Sequence, residues 1–138
     1  MASLFLHMNT LHSVNKVSGY PSSVFSVDDV YWKLDEAAVL DGTFRNSLAN
    51  SLGSRGMLWP PILWTQETFL MYLQESGTRH DPNKDIDTPY LYRVAIGNNR
   101  FCYAKENGYT HIECVVAGTW QDRATILSKT LMEYGKDF

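Results

Sequence analysis

Short runs of apolar residues, separated by polar and glycine-containing stretches, divide the chain into strands and helices. Val24-Phe25-Ser26-Val27 predicts a first strand, and the prolines before Ile62 favour extended backbone at the start of a second. Aromatic and branched residues at 90–96 predict a third strand, and 112–117 predicts a fourth. Helical spacing between these runs makes the chain an α+β (α/β) domain, a small mixed sheet with short helices.

Apolar residues that recur every three or four positions predict two of the helices. One starts near Thr43 with the stripe Phe44, Leu48 and Leu52. A second is capped by Thr65, ends at Gly77 and carries Phe69, Leu70 and Leu73.

Two further helices are predicted from their capping signals. A short one starts with an Asn98-Asn99 cap, runs to Asn107 and is followed by Gly108. The last helix starts with the capping box Thr119-x-x-Asp122, and its predicted buried face is Ala124, Leu127, Leu131 and Tyr134.

The chain shows no internal repeat and no low-complexity tract, so residues 1–138 are predicted to form a single domain. Within it, 24–117 is the predicted core and 118–138 a C-terminal helix. Residues 1–23 are an N-terminal segment for which a strand, an arm and a partner-binding segment all stay open.

The composition of the chain mainly argues against certain classes of function. The chain has 12 Lys+Arg against 15 Asp+Glu and a net charge of -3, which disfavours general binding to polyanions. No apolar run approaches the roughly 20 residues of a membrane span, and the first residues lack the pattern of a secretory signal. We therefore expect a cytoplasmic protein with no membrane partner, whose Cys102 and Cys114 are reduced residues of the core.

The segment Gly97-Asn98-Asn99-Arg100 carries the candidate chemistry, because it joins a predicted strand to the start of a helix. Backbone N–H groups and the helix dipole attract anions at such a junction, and phosphate is the natural candidate. The asparagine amides and the guanidinium of Arg100 add donors suited to phosphate oxygens. The alternative is that glycine and asparagine serve only the turn and the cap.

This segment, followed by Phe101, Ala104 and Gly108-Tyr109, resembles the G-x-x-R box of the ParB/sulfiredoxin-like family. The earlier stretch 48–62, with Gly53 and Pro60-Pro61, is similar to that family's helix, glycine and strand that leads to a proline. The resemblance covers residues 24–117 and implies a ParB/sulfiredoxin-like fold of the stand-alone phage or mobile-element type. It implies binding of a nucleotide, with a nucleotide triphosphate and Mg²⁺ as the corresponding cofactors.

Departures from the family's motifs limit which activities carry over. Asn98 stands where sulfiredoxins have the reactive cysteine, so sulfiredoxin chemistry is not expected. Only Gly97 and Arg100 match the longer arginine-rich box of chromosome-partitioning ParB proteins. Ile96 occupies the acidic position that other relatives have before the glycine, which weakens a catalytic interpretation.

Catalysis would require a carboxylate that holds Mg²⁺ or activates water. Asp28 and Asp29, after the first predicted strand, are the candidate catalytic residues, and Asp41 is a weaker alternative. A solvated pair that caps a turn is the other interpretation of Asp28-Asp29. No metal ligands can be named from the sequence.

Two other patterns in the sequence carry candidate binding chemistry. Asp81-x-Asn83-x-Asp85-x-Asp87 imitates the start of a calcium-binding loop, but Ile86 replaces the required glycine and Tyr92 replaces the bidentate glutamate. Three tryptophans can stack a base or pack in the core: Trp59, Trp64 and Trp120.

The sequence therefore leaves two hypotheses. In the first, the domain binds a nucleotide or nucleic-acid phosphate at Gly97–Arg100, with weak phosphohydrolase or nuclease activity left open. In the second, it is a non-catalytic phage or mobile-element protein that binds a host or virion protein, and Leu4–Leu6 contribute to that contact. A phage-encoded protein would act in the host cytoplasm.

Overall fold

The computed structural model describes residues 9–32, 50–77 and 88–134. The strands are β1 (Thr10–Leu11), β2 (Ser22–Ser26), β3 (Val30–Tyr31), β4 (Ile62–Thr65), β5 (Tyr92–Ile96) and β6 (His111–Val116). The helices are α1 (Gln66–Ser76), α2 (Asn98–Glu106) and α3 (Trp120–Tyr134). A 3-10 turn covers Val27–Asp29, and residues 50–55 are helical.

The described strands form one six-stranded mixed sheet, which confirms the predicted α+β class. Its order is β1-β6-β4-β5-β3, and β2 pairs with β6. β6 runs parallel to β1 and β4 and antiparallel to β2, whereas β5 runs antiparallel to β4 and parallel to β3. Because β6 contacts three strands, it organises the sheet.

Alternating residues of the sheet face two separate hydrophobic clusters. On one face, Ile112 and Cys114 of β6 pack with Phe101 and Ala104 of α2. On the other face, Val115 packs with residues that include Ile126 of α3. Helices therefore cover both faces, and α2 lies on the face opposite α3.

The structure confirms the capping signals at three helix ends. Thr65 caps α1 by accepting a hydrogen bond from the backbone N–H of Thr68 at 3.1 Å, and Gly77 ends α1 in the left-handed conformation. Before α3, the Thr119 hydroxyl accepts from Asp122 N and the Asp122 carboxylate accepts from Thr119 N, both at 3.2 Å.

The predicted cap of α2 was wrong by one position. Gly97 occupies the cap, and the helix begins at Asn98. The chain passes Pro61 at this point with a Gly97 φ of +119°, which an asparagine would adopt only with strain.

The predicted buried face of α3 needs correction. Ala124 is exposed, whereas Ile126 and Thr130 of α3 are fully buried. Thr130 tolerates burial because its hydroxyl donates to the Ile126 carbonyl at 2.8 Å. On α1, Phe69 is buried and Leu70 is 39% exposed, because the packing of the helix turns Leu70 outward.

Residues 9–23 belong to the sheet region rather than extending from it. They contain β1 and the start of β2, and Leu11 and Val17 are buried. Several sequence predictions lie outside the described residues: the start of the helix at Thr43, Asp41, the 81–87 loop and Leu4–Leu6. None of the helices described above is both long and apolar enough to cross a membrane.

Replacing Gly97 with alanine should destabilise the fold, because a Cβ there would lie 2.7 Å from the Cβ of Pro61 at a positive φ. Two other glycines separate the causes. Gly108 also has a positive φ, but a Cβ there would meet no atom within 4 Å. Gly53 has no positive φ, and a Cβ there would likewise meet no atom within 4 Å.

We expect Gly97→Ala to lower the free energy of unfolding by about 2–4 kcal/mol and Gly108→Ala by about 1 kcal/mol. Gly53→Ala, within a helical segment, should raise it by about 0.5–1 kcal/mol. Urea denaturation of the three variants measures these changes. Equal losses for Gly97→Ala and Gly108→Ala would contradict a steric role for Pro61.

Candidate functional site

The junction of β5 and α2 places the predicted phosphate segment at the start of a nine-residue helix. The Gly97 carbonyl accepts hydrogen bonds from Arg100 N at 3.0 Å and Phe101 N at 3.4 Å. The cap residue of α2 is a glycine, which has no side chain to accept a hydrogen bond from the helix start. The positive end of the helix dipole, equivalent to about half an elementary charge, is therefore not neutralised by a side chain of its own cap residue.

Arg100 lies in the first turn of α2 but points into the protein. It is 1% exposed, and its guanidinium carbon lies 4.3 Å from the centre of the Trp59 ring, which is itself buried. Burial lowers the pKa of Arg100 to about 9. In this arrangement Arg100 places a positive charge beneath the helix start, rather than the exposed fork of donors expected from the sequence.

The two asparagines form the first two positions of α2, where both are half-buried. The Asn99 Oδ1 atom is buried and accepts no hydrogen bond from the described part of the chain. The first turn of α2 therefore holds the glycine cap, the amides of the two asparagines and the buried guanidinium of Arg100. Arg100 and the helix dipole both make this turn electropositive.

The structure does not bring Asp28 to this turn. Asp28 is exposed and forms an ion pair with Lys105 at 2.8 Å, near the last turn of α2. Lys105 lies seven residues beyond Asn98, or about 10 Å along the helix axis. Asp29 is exposed in the same 3-10 turn. The predicted catalytic pair is thus at the opposite end of α2 from the predicted phosphate segment.

A second charged cluster surrounds Glu113, whose side chain is 4% exposed in β6. Glu113 Oε1 accepts from Ser13 N at 2.9 Å and lies 3.3 Å from His12 Nδ1. Its other oxygen, Oε2, accepts from Lys16 Nζ and Ser22 Oγ. Burial raises the pKa of Glu113, but these hydrogen bonds outweigh it and lower that pKa to about 2. This cluster was not predicted from the sequence, although a glutamate within an apolar strand was the available signal.

Arg93 of β5 is a further buried charge that the sequence analysis did not identify. It is 3% exposed, its guanidinium carbon lies 3.6 Å from the centre of the Phe69 ring, and its Nη1 donates to Gln66 Oε1 at 3.0 Å. Its contacts tie β5 to the first turn of α1. We assign it a structural role.

The cysteines and tryptophans, for which the sequence allowed either a binding role or a packing role, are mostly buried. Cys102 and Cys114 lie in the core, and burial raises the pKa of the Cys114 thiol well above its ordinary value. Trp59 and Trp64 are also buried, so neither presents a face on which a base could stack. Trp120 Nε1 donates to Glu75 Oε2 at 2.5 Å.

The described residues do not offer a site that fits Mg²⁺. No three histidine, cysteine, aspartate or glutamate side chains gather within ranges 9–32, 50–77 and 88–134. At the start of α2 the side chains are amides and a cation, whereas Mg²⁺ is bound mainly by carboxylate and phosphate oxygens.

Comparisons with known proteins find similarity only at the level of structure. No protein-family model matches the chain, and no curated protein matches its sequence. Among solved structures, the chain is similar to sulfiredoxin from Arabidopsis thaliana, with 14% identity and a TM-score of 0.46 over 78% of this chain and 97% of that one.

Two ParB structures are also similar. The C-terminally truncated chromosome-partitioning protein ParB from Caulobacter crescentus, complexed with CTP-gamma-S, has 16% identity and a TM-score of 0.48 over 84% of this chain. A Pnob8-like ParB-N domain has 15% identity and a TM-score of 0.47 over the same share. The chain spans 54% and 38% of these two proteins. Sulfiredoxin and ParB are the two groups that the G-x-x-R resemblance named; at these values the likeness says nothing about activity.

Glu113→Gln should lower the free energy of unfolding at neutral pH and make that free energy depend less on pH in the acid range. The pKa of Glu113 falls from an ordinary 4.5 to about 2 on folding, so the carboxylate contributes stability above pH 4.5 that is lost as pH falls toward 2. The contribution is on the order of 2–3 kcal/mol.

Urea denaturation across that pH window measures the effect, and the exposed Glu67→Gln is the matched control. The gap between wild type and Glu113→Gln should narrow as pH falls, while Glu67→Gln follows wild type. A gap independent of pH would contradict the assigned role of the carboxylate.

Proposed function

We propose that this domain binds the phosphate group of a nucleotide at the start of α2, through residues Gly97, Asn98, Asn99 and Arg100. The observation that carries the proposal is the combination of a helix start whose cap residue is a glycine and a buried guanidinium in its first turn. Both features favour negative charge at the same place.

The glycine at the cap supports this proposal on steric grounds. Gly97 has no Cβ, so the backbone N–H groups that follow it can approach a phosphate closely. The asparagine amides can donate hydrogen bonds from the same turn. The buried charge of Arg100 acts at short range in a medium of low dielectric constant, where it is screened less than a surface cation.

Charge favours a nucleotide over a nucleic acid. Binding along a nucleic-acid backbone requires several lysines or arginines that neutralise successive phosphates. This chain has a net charge of -3, and the arginine of the site is buried. One phosphoryl group, as a nucleoside triphosphate presents at its end, matches a single electropositive helix start better.

Catalysis is not part of the proposal. Asp28 pairs with Lys105 at the other end of α2, and the side chains at the start of α2 include no carboxylate that could hold Mg²⁺ or activate water. The catalytic role of Asp28 and Asp29 stays a sequence prediction. The same holds for an origin in a phage or mobile element.

A thermal-shift panel tests the proposal, because a ligand that binds the native state raises the melting temperature. The panel holds inorganic phosphate, nucleoside triphosphates with and without Mg²⁺, and short DNA. At 100 times its Kd, a ligand should stabilise the wild type by about 2.7 kcal/mol, which corresponds to a rise of several degrees.

Arg100→Met keeps an unbranched apolar stem and removes the charge, so it should abolish most of the shift relative to its own ligand-free melting temperature. Arg100→Lys should retain part of it. Arg123→Met is the control, since Arg123 of α3 lies over the rings of Trp64 in β4 and Tyr72 in α1, away from the first turn of α2. A shift that survives in Arg100→Met, or no shift with any ligand in the wild type, would refute the proposal. The latter result would favour the interaction-protein hypothesis.

A further inference from the structure

The segment Trp59–Pro61, which leads into β4, contacts two of the four residues of the proposed site. Pro61 lies against Gly97 so closely that a Cβ on the glycine would be 2.7 Å from the proline Cβ. Trp59 lies under Arg100, with 4.3 Å between the guanidinium carbon and the centre of the ring. The first turn of α2 is thus built against this segment.

The indole ring of Trp59 affects the charge and the position of Arg100. Burial removes water from the guanidinium, which disfavours its charged form. The electron-rich face of an indole ring favours a cation above it, and a planar guanidinium stacks on it in a restricted orientation. Trp59 and Arg100 are 0% and 1% exposed, so water does not weaken this contact.

We propose that Trp59 is a positioning residue for the phosphate site: its ring holds the Arg100 guanidinium in a fixed position beneath the start of α2. Trp59 contacts no ligand in this arrangement and acts only through Arg100. The inference rests on the proposed function, since it concerns the affinity of that same site for phosphate.

Trp59 also packs with Ile62, Val115 and Ile126, so a purely structural role must be separated from a positioning role. The chain offers a matched control in Trp64. Trp64 is likewise buried, at 4% exposure, and its ring also lies near a guanidinium, that of Arg123 at 5.3 Å. Arg123 is not part of the site, so Trp64 reports the cost of losing a buried tryptophan alone.

The experiment measures the Kd for inorganic phosphate by calorimetry, below the melting temperature of each variant, for wild type, Trp59→Leu, Trp59→Phe and Trp64→Leu. We expect Trp59→Leu to weaken phosphate binding by about tenfold or more, the size expected of a desolvated cation–π contact. Trp59→Phe keeps a ring and should recover most of the affinity. Trp64→Leu should lower the melting temperature yet keep the wild-type Kd within about twofold.

A double-mutant cycle tests whether Trp59 acts through Arg100. Adding Trp59→Leu to Arg100→Met should weaken phosphate binding no further than Arg100→Met alone, because the charge that the ring positions is already gone. If Trp59→Leu does not fold, Trp59→Met replaces it in both measurements, because the flexible methionine side chain adapts to a buried site and also lacks a ring.

The outcomes separate the two proposals. Wild-type protein that binds no phosphate overturns the proposed function and this inference with it. If the wild type binds phosphate but Trp59→Leu and Trp59→Phe bind it equally well, the site stands and the positioning role fails. Equal losses of affinity in Trp59→Leu and Trp64→Leu would also overturn that role, because they would reflect general loosening of the core.

Discussion

The contact between the Trp59–Pro61 segment and the first turn of α2 fixes the part of the structure on which the proposed site depends. Pro61 excludes any side chain at position 97, and Gly97 in turn adopts a φ of +119° that begins the helix without a capping side chain. Trp59 accepts the guanidinium of Arg100 on its face. The same segment also joins the sheet, because Pro61 O accepts a hydrogen bond from Val115 N at 3.0 Å. The sheet and the site are therefore aligned by one stretch of chain.

The domain keeps several charges in its interior and stabilises them in two different ways. The guanidinium groups of Arg93 and Arg100 lie over aromatic rings. The electron-rich face of such a ring attracts a cation. Glu113 instead receives four donors, two on each carboxylate oxygen. That saturates the acceptor sites of a carboxylate, so Glu113 is suited to fixing residues 12–22 on β6 and not to acting as a base. The helix start of α2 differs from both, because its cap residue is a glycine and has no side chain to accept a hydrogen bond.

The proposed function depends on the position of the Asp28 and Asp29 carboxylates as well as on the position of Arg100. The candidate catalytic residues Asp28 and Asp29 follow the first predicted strand, and catalysis would require them beside the phosphate segment. Here β2 leads into a 3-10 turn whose Asp28 pairs with Lys105, and Val27 N donates to Thr110 O at 2.9 Å beyond the far end of α2. The position before Gly97 is Ile96, so it supplies no carboxylate to the start of α2 either. A phosphate-binding domain is the simplest function that fits both observations.

The sequence by itself determined the features that depend on local physics. Strand and helix periodicity, the Thr65 cap, the Thr119–Asp122 capping box and the glycine helix ends are set by residues within a few positions of each other. The α+β class follows from their order. The Gly97–Arg100 segment could be found for the same reason, as a turn between strand and helix. Only the tertiary structure decided which way Arg100 points, that Trp59 lies beneath it, that Asp28 sits at the other end of α2, and that Glu113 anchors the N-terminal segment. These outcomes depend on contacts between residues 40 to 100 positions apart. The energies of these contacts come from burial and charge, and the hydrophobic periodicity of the sequence does not reveal which residues make them.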